Sequence, residues 1–226
     1  MERVLKGHDA WPGHGRRVLD VGCGTGDFAR AFAADGASVV AVDLSPRAIE
    51  EARRRSCGLP TIEYRVGGIE TLALTAASVD LATSITVLQH LDDDGLQTAL
   101  SGLSGAVKPG GHALALEIAP ATPSRDNRSP HVHVRSRDQW VRGFAAHAFD
   151  LRAEVAYPQL AVLLLNRIGR ARAAASRAQG AGGSRRRLRR LAYRMVLGAS
   201  WVFDHGLALP APAGLALYRI FLFRRL

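Results

Sequence analysis

Apolar residues in this chain fall into short runs that alternate with stretches of helical spacing along most of its length. Val18-Leu19-Asp20-Val21 has the length and branching of a buried strand and drops into Gly22-Cys23-Gly24-Thr25-Gly26. Asp27 to Ala34 carries a helical pattern, and Ser38 to Val42 is a second apolar run closed by Asp43. Ser45 is placed to cap a helix whose first residue is Pro46, the favoured first-turn position for proline. Ala48, Ile49 and Ala52 mark the inner face of that helix, which the pattern extends to Arg55. Thr61–Val66, Val79–Ser84 and His112–Ala119 read as the third, fourth and fifth strands. Asp92 to Asp94 put acids at the positive end of a helix running to about Val107, and Lys108-Pro109-Gly110-Gly111 reads as a turn. Ser136 can cap a helix over Arg137–Phe149, with a sixth strand at Asp150–Ala156 and a seventh at Leu215–Phe223. Strands alternating with helices predict a doubly wound α/β sheet. Met1 to Gly15 show no convincing periodicity.

The turn after the first strand narrows the ligand. Its glycines allow tight turning and close approach to a ligand, and an acid ending the second strand is placed to accept from both hydroxyls of a ribose. The dinucleotide fingerprint GxGxxG has its third glycine one residue later than here. Here the pattern is Asp20-x-Gly22-x-Gly24-x-Gly26. An aspartate just before the turn repels a pyrophosphate and suits a ligand carrying an ammonium group.

On these residues the chain resembles the class I S-adenosylmethionine-dependent methyltransferases, whose signature is a strand ending in D-x-G-x-G-x-G. The resemblance implies that Asp20, Gly22, Gly24 and Gly26 hold the amino-acid moiety of S-adenosylmethionine and that Asp43, with Leu44 beside it, holds the ribose. It extends through Val79-Asp80-Leu81-Ala82-Thr83-Ser84, the following Val87-Leu88-Gln89-His90-Leu91 and the Lys108-Pro109-Gly110-Gly111 turn, covering roughly residues 17 to 119. Ser84, through its carbonyl, and Ile85 are then implied to pass the cofactor amine and sulfur. Where the family usually has an acid for the adenine amine, this chain has Gly68, leaving the Ile69 N–H, apolar packing and Glu70 for the ring. The implied fold is a Rossmann-like seven-stranded sheet of order 3-2-1-4-5-7-6 with strand 7 antiparallel.

At 226 residues the chain fits a single methyltransferase domain over 1–226. The stretch 159–214 interrupts it between strands six and seven. Helical patterns at Leu160–Ser176 and Arg185–Phe203 flank the glycine-rich linker Gln179–Ser184, which suggests a helical insertion acting as a substrate lid. Net charge is +10, much of it between Arg167 and Arg194. That asymmetry admits nucleic acid, an acidic membrane surface or an acidic substrate as partner, or a solvated helical face. Apolar runs there are too short and too often broken by arginine to span a bilayer, so any membrane contact is expected to be peripheral. Cys23 and Cys57 form no disulfide framework or metal spacing, and the N-terminus lacks a signal-peptide pattern, so a cytoplasmic location is expected. No metal site is expected. Oligomeric state is not written in the sequence.

Methyl transfer from a sulfonium needs alignment more than acid–base power, so a base is optional. If one is used, His133 or His131, followed by His90, are the candidates, because they belong to segments leaving the ligand-binding edge of the sheet. His131 and His133 alternate with valines and would share one face of an extended run. Aromatic residues make up 6% of the chain and offer few stacking platforms for nucleic-acid bases. The expected activity is methylation of an O or N atom of a small molecule, such as a secondary metabolite. Two alternatives stand beside it: a methyltransferase-like protein that catalyses a rearrangement or cyclisation, and a nucleic-acid methyltransferase.

Overall fold

Parallel pairing builds outward from the first apolar run. In the computed structural model of the protein, strand β1 (Arg17–Val21) lies between β2 (Ser38–Asp43) and β4 (Val79–Ile85), parallel to both. β3 (Ile62–Val66) adds in parallel beyond β2, and β5 (Val107–Ile118) beyond β4. β7 (Tyr218–Arg225) runs antiparallel to β5, and β6 (Phe149–Tyr157) completes the order β3-β2-β1-β4-β5-β7-β6. The structure describes residues 1–69, 75–120, 131–157 and 218–226. Glu70, residues 121–130 and the suggested insertion at 159–214 lie outside them.

Helices α1 (Glu2–Gly7), α2 (Asp27–Ala34), α3 (Pro46–Arg55), α4 (Asp93–Ala106) and α5 (Arg137–Ala145) flank this sheet. Three begin at side-chain caps that the sequence signals. Ser45 Oγ accepts from Ala48 N at 3.2 Å, Asp92 from Gly95 N at 2.8 Å, and Ser136 and Gln139 form a reciprocal capping box. The aromatic residues, few as they are, concentrate under α5. Phe144 stacks on Phe223 with centroids 4.0 Å apart, Phe149 meets Phe144 edge-on, and Trp140 donates its indole N–H to the Ile118 carbonyl at 2.9 Å.

Several boundaries differ from the sequence pattern, among them the end of α5, at Ala145 rather than Phe149. A short helix forms at Glu2–Gly7, where Leu5 is buried and Lys6 pairs with Glu2 one turn back. β5 starts at Val107 rather than His112. Val79 pairs with Val107 and Leu81 with His112, so the expected turn at 108–111 is an excursion inside the strand, with Gly110 at φ 79°. Residues 131–136 are not a strand, so His131 and His133 do not share a face of one.

Candidate active site

At the carboxyl edge of β1 the glycine turn is held by close packing on both sides. A Cβ on Gly22 would lie 2.1 Å from Val87 Cγ2, and one on Gly26 would lie 2.3 Å from Tyr64 Oη. Gly24, at φ 52°, is different: a Cβ there would meet nothing within 4 Å. The turn is therefore packed at its ends and open at its middle. Cys23, inside it, anchors the loop through its N–H to the Val42 carbonyl. Burial, with Asp20 and Asp43 nearby, pushes its thiol pKa up to about 12, which favours the unreactive thiol form.

The two acids of the motif occupy contrasting environments. Asp20 is 2% exposed; one oxygen accepts from Thr83 Oγ1 at 2.8 Å, and Oδ2 is buried with no partner. Burial raises its pKa to about 7, helped by Asp43 and opposed by the Thr83 hydrogen bond. An unpaired carboxylate oxygen under an open glycine turn is what an ammonium-bearing ligand requires. Asp43 is half-buried and holds two loops at once: Oδ2 accepts from Gly24 N at 2.8 Å and Oδ1 from Ser45 N at 2.9 Å. Each oxygen keeps acceptor capacity for a further donor. Leu44, beside it, is 72% exposed. The Ile69 side chain is buried in the core cluster against α4, so its contribution to a ligand is confined to its backbone, with Gly68 before it.

Across the edge, the segment after β4 is fixed by a residue the motifs do not single out. Glu117, on β5 and fully buried, accepts from Ser84 Oγ (3.2 Å) and from the N–H groups of Val87 (3.3 Å), Leu88 (3.1 Å) and Gln89 (3.1 Å). Burial drives its pKa up to about 8 against the pull of these four donors. In the sequence Glu117 is one acid in an apolar strand. Four donors aimed at this one side chain cap the 3-10 turn Leu88–His90. Between Ser84 and that turn, Thr86 sits at φ 58°, rare for a β-branched residue. Its N–H reaches the Leu116 carbonyl and its hydroxyl the Ile85 carbonyl, so the strained backbone is tied on both sides.

The His90 side chain and the backbone of His131 and His133 meet at this turn. His90 Nδ1 lies 2.6 Å from the His131 carbonyl, and the His133 N–H donates to the Gln89 carbonyl at 2.7 Å. A carbonyl only accepts, so Nδ1 of His90 carries the proton and Nε2 of the neutral ring is left with its lone pair. Gln89 completes the clasp by accepting from Ile118 N at 3.0 Å. Among the described residues no group of three His, Cys, Asp or Glu is placed to hold a metal ion.

Residues 18–111 match the family model described as a methyltransferase domain. The ubiquinone biosynthesis O-methyltransferase of Paracidovorax citrulli is 40% identical over 103 residues, which is 44% of this chain and 42% of that protein. The matched stretch is thus less than half of the relative's length. Among solved structures, a putative sarcosine dimethylglycine methyltransferase from Galdieria sulphuraria superimposes with a TM-score of 0.70 at 15% identity, covering 99% of this chain and 83% of the other. The [4+2]-cyclase SpnF superimposes with a TM-score of 0.65 at 19% identity, over 99% and 80%. These likenesses establish the fold. With the matched motifs and the strand order in place, residues 18–111 match a methyltransferase domain within a sheet of the class I S-adenosylmethionine-dependent methyltransferase order.

Proposed function

We propose that the protein transfers a methyl group from S-adenosylmethionine to an O or N atom of a small molecule. The observation that carries this reading is the buried, unpartnered Asp20 Oδ2 at the end of β1, just before a turn whose Gly24 is open and is held by Asp43. Asp20 and the glycine turn would hold the amino-acid end of the cofactor, Asp43 the ribose, and the Ile69 backbone the base. Ser84 and Ile85 would line its middle. When bound, the cofactor supplies an activated methyl on a sulfonium. The chain's part is alignment and exclusion of water, with His90 Nε2 the acceptor best prepared for a substrate proton and His131 and His133 framing it. An O-methyl acceptor is supported by the curated relative's name, and a small one by the scarcity of aromatic stacking residues. No helix among the described residues is long and apolar enough to cross a membrane.

Incubating the full chain with S-adenosylmethionine and a panel of phenols, alcohols, carboxylic acids and amines, with mass spectrometry of both products, tests the reading. S-adenosylhomocysteine release matched by one added methyl is expected. A product isomeric with its substrate, formed without S-adenosylhomocysteine, would replace methylation by the rearrangement chemistry that SpnF's name shows on the same fold.

A further inference from the structure

The opposite rim of the sheet carries a second concavity, remote from the glycine turn. It has a volume of about 540 Å³ and is bounded by the segment before β1, the start of β4, the 108–111 excursion of β5, and Arg152 and Arg224 on β6 and β7. β4 separates the two ends. Asp80 and Leu81 open onto the cavity, while Ser84 and Ile85 belong to the cofactor edge, ~13 Å away at about 3.3 Å per residue.

Its lining is unbalanced in charge. Arg16, Lys108, Arg152 and Arg224 line it against Asp9 and Asp80. Asp80 is already saturated: it accepts from Arg17 N at 2.8 Å and Lys108 Nζ at 2.8 Å, with Arg16 at 3.5 Å. Arg152 leans on Asp150 at 3.2 Å. Arg224 is exposed, and no ion pair to a carboxylate is seen for it among the described residues. On the floor sits His112, paired in register with Arg224. Burial first, then Arg224, His8, Arg152 and Arg16, lower its pKa below the ordinary histidine range. The positive surroundings thus favour the neutral imidazole, which can hydrogen-bond. Trp11 and Pro109 give the wall an apolar part.

We propose that this cavity binds a small phosphorylated ligand, its phosphate held by Arg224 and Lys108 with His112 beneath and its organic part against Trp11. Two observations favour phosphate over a simple carboxylate. The cations come from separate strands and surround a volume rather than forming one fork, which suits a tetrahedral anion of higher charge. The volume also lies within the range of small-molecule sites, roughly 300–1,000 Å³, and exceeds what a lone carboxylate fills.

Isothermal titration of the full chain with inorganic pyrophosphate, in the presence and absence of S-adenosylhomocysteine, tests this. Saturable one-to-one binding that is unaffected by S-adenosylhomocysteine is expected, weakened at least tenfold in Arg224→Gln and partly restored in Arg224→Lys. Arg224→Gln should keep the wild-type circular dichroism and S-adenosylhomocysteine affinity, which separates loss of this site from misfolding. Equal binding by wild type and Arg224→Gln would mean an adventitious ion only. Displacement of pyrophosphate by S-adenosylhomocysteine would assign the binding to the cofactor edge and overturn the proposal. Retention on phosphatidic acid vesicles without pyrophosphate binding would make the surface a lipid contact and equally overturn an enclosed small-ligand site.

Discussion

The glycine turn after β1 and the segment after β4 meet at one edge of the sheet and are stabilised in opposite ways. The first is held by the absence of side chains: Gly22 and Gly26 let Val87 and Tyr64 come within distances no Cβ tolerates. The second is held by the presence of one: Glu117 gathers Ser84 and three backbone N–H groups into a single buried carboxylate. Close packing tolerates no insertion, whereas the clamp fails when its acceptor oxygens are removed. The two meet where Val87, held by Glu117 through its N–H, lies against Gly22. A ligand at this edge is thus framed by two loops that set each other's position.

Removing the clamp should have the largest effect. Glu117→Ala leaves the donors of residues 84–89 buried without acceptors, at about 1–3 kcal/mol each and less than additively, for a total on the order of 3–5 kcal/mol. Glu117→Gln should be only partly better, since its NH₂ must face an N–H donor. Urea unfolding measures the loss. If Glu117→Ala matched wild type in midpoint and slope, the segment after β4 would be held by packing, and the contrast between the loops would vanish.

Next comes Asp43→Ala, which acts on the turn side. It frees Gly24 N and Ser45 N and removes the proposed acceptor for the ribose hydroxyls. Each hydrogen bond to a charged acceptor contributes about 1.5–3 kcal/mol, or roughly 10- to 150-fold, so losing both ribose bonds should lower cofactor affinity at least about 150-fold. Calorimetric titration with S-adenosylhomocysteine gives the number, and an unchanged affinity would sink the cofactor assignment.

Gly22→Ala probes the junction itself. Crowding against Val87 at positive φ should cost about 2–3 kcal/mol, and Val87→Ala in the same chain should recover part of it. Coupling within 0.3–0.5 kcal/mol of zero, the scatter of about 0.3–0.5 kcal/mol seen for independent sites, would show that the loops do not set each other's position.

How much of this was legible in the sequence follows from the same contrast. The glycine turn, Asp43 and the caps at Ser45, Asp92 and Ser136 are local signals, because backbone conformation and burial period depend on near neighbours, whereas the order of the strands came only with the family resemblance. Glu117 was visible only as one acid in an apolar strand; its partners are some thirty positions away, at Ser84 to Gln89. The clustering of His90 with His131 spans 41 positions and rests on a backbone carbonyl, which no residue identity announces. The early start of β5 was hidden because proline and glycines read as a turn, and they do turn, but inside a strand whose pairing resumes on either side. The basic cavity draws single residues from the ends of several strands, a pattern that only the assembled sheet collects.

The smallest expected effect concerns Asp20, and it separates a carboxylate awaiting a cation from one that merely packs. Its pKa in the folded protein is about 7, against an ordinary value of 3.8. A carboxyl whose pKa is raised by folding binds its proton more tightly in the native state. Its contribution to stability is therefore fully present below pH 3.8, and it is lost as pH rises through about 7. A cationic ligand has the opposite preference, since the ammonium group favours the ionised form. S-adenosylmethionine affinity should thus rise about tenfold between roughly pH 6 and pH 8 as the ionised fraction of Asp20 grows, equivalent to ~1.4 kcal/mol. Asp20→Asn should flatten that profile at the weaker end and, by removing a buried charge, raise the melting temperature of the ligand-free protein at pH 8. The reading fails if wild-type affinity is flat across this range, or if Asp20→Asn keeps the slope. In the second case another group would set the profile, and the unpaired oxygen of Asp20 would be a packing feature with no bearing on the cofactor.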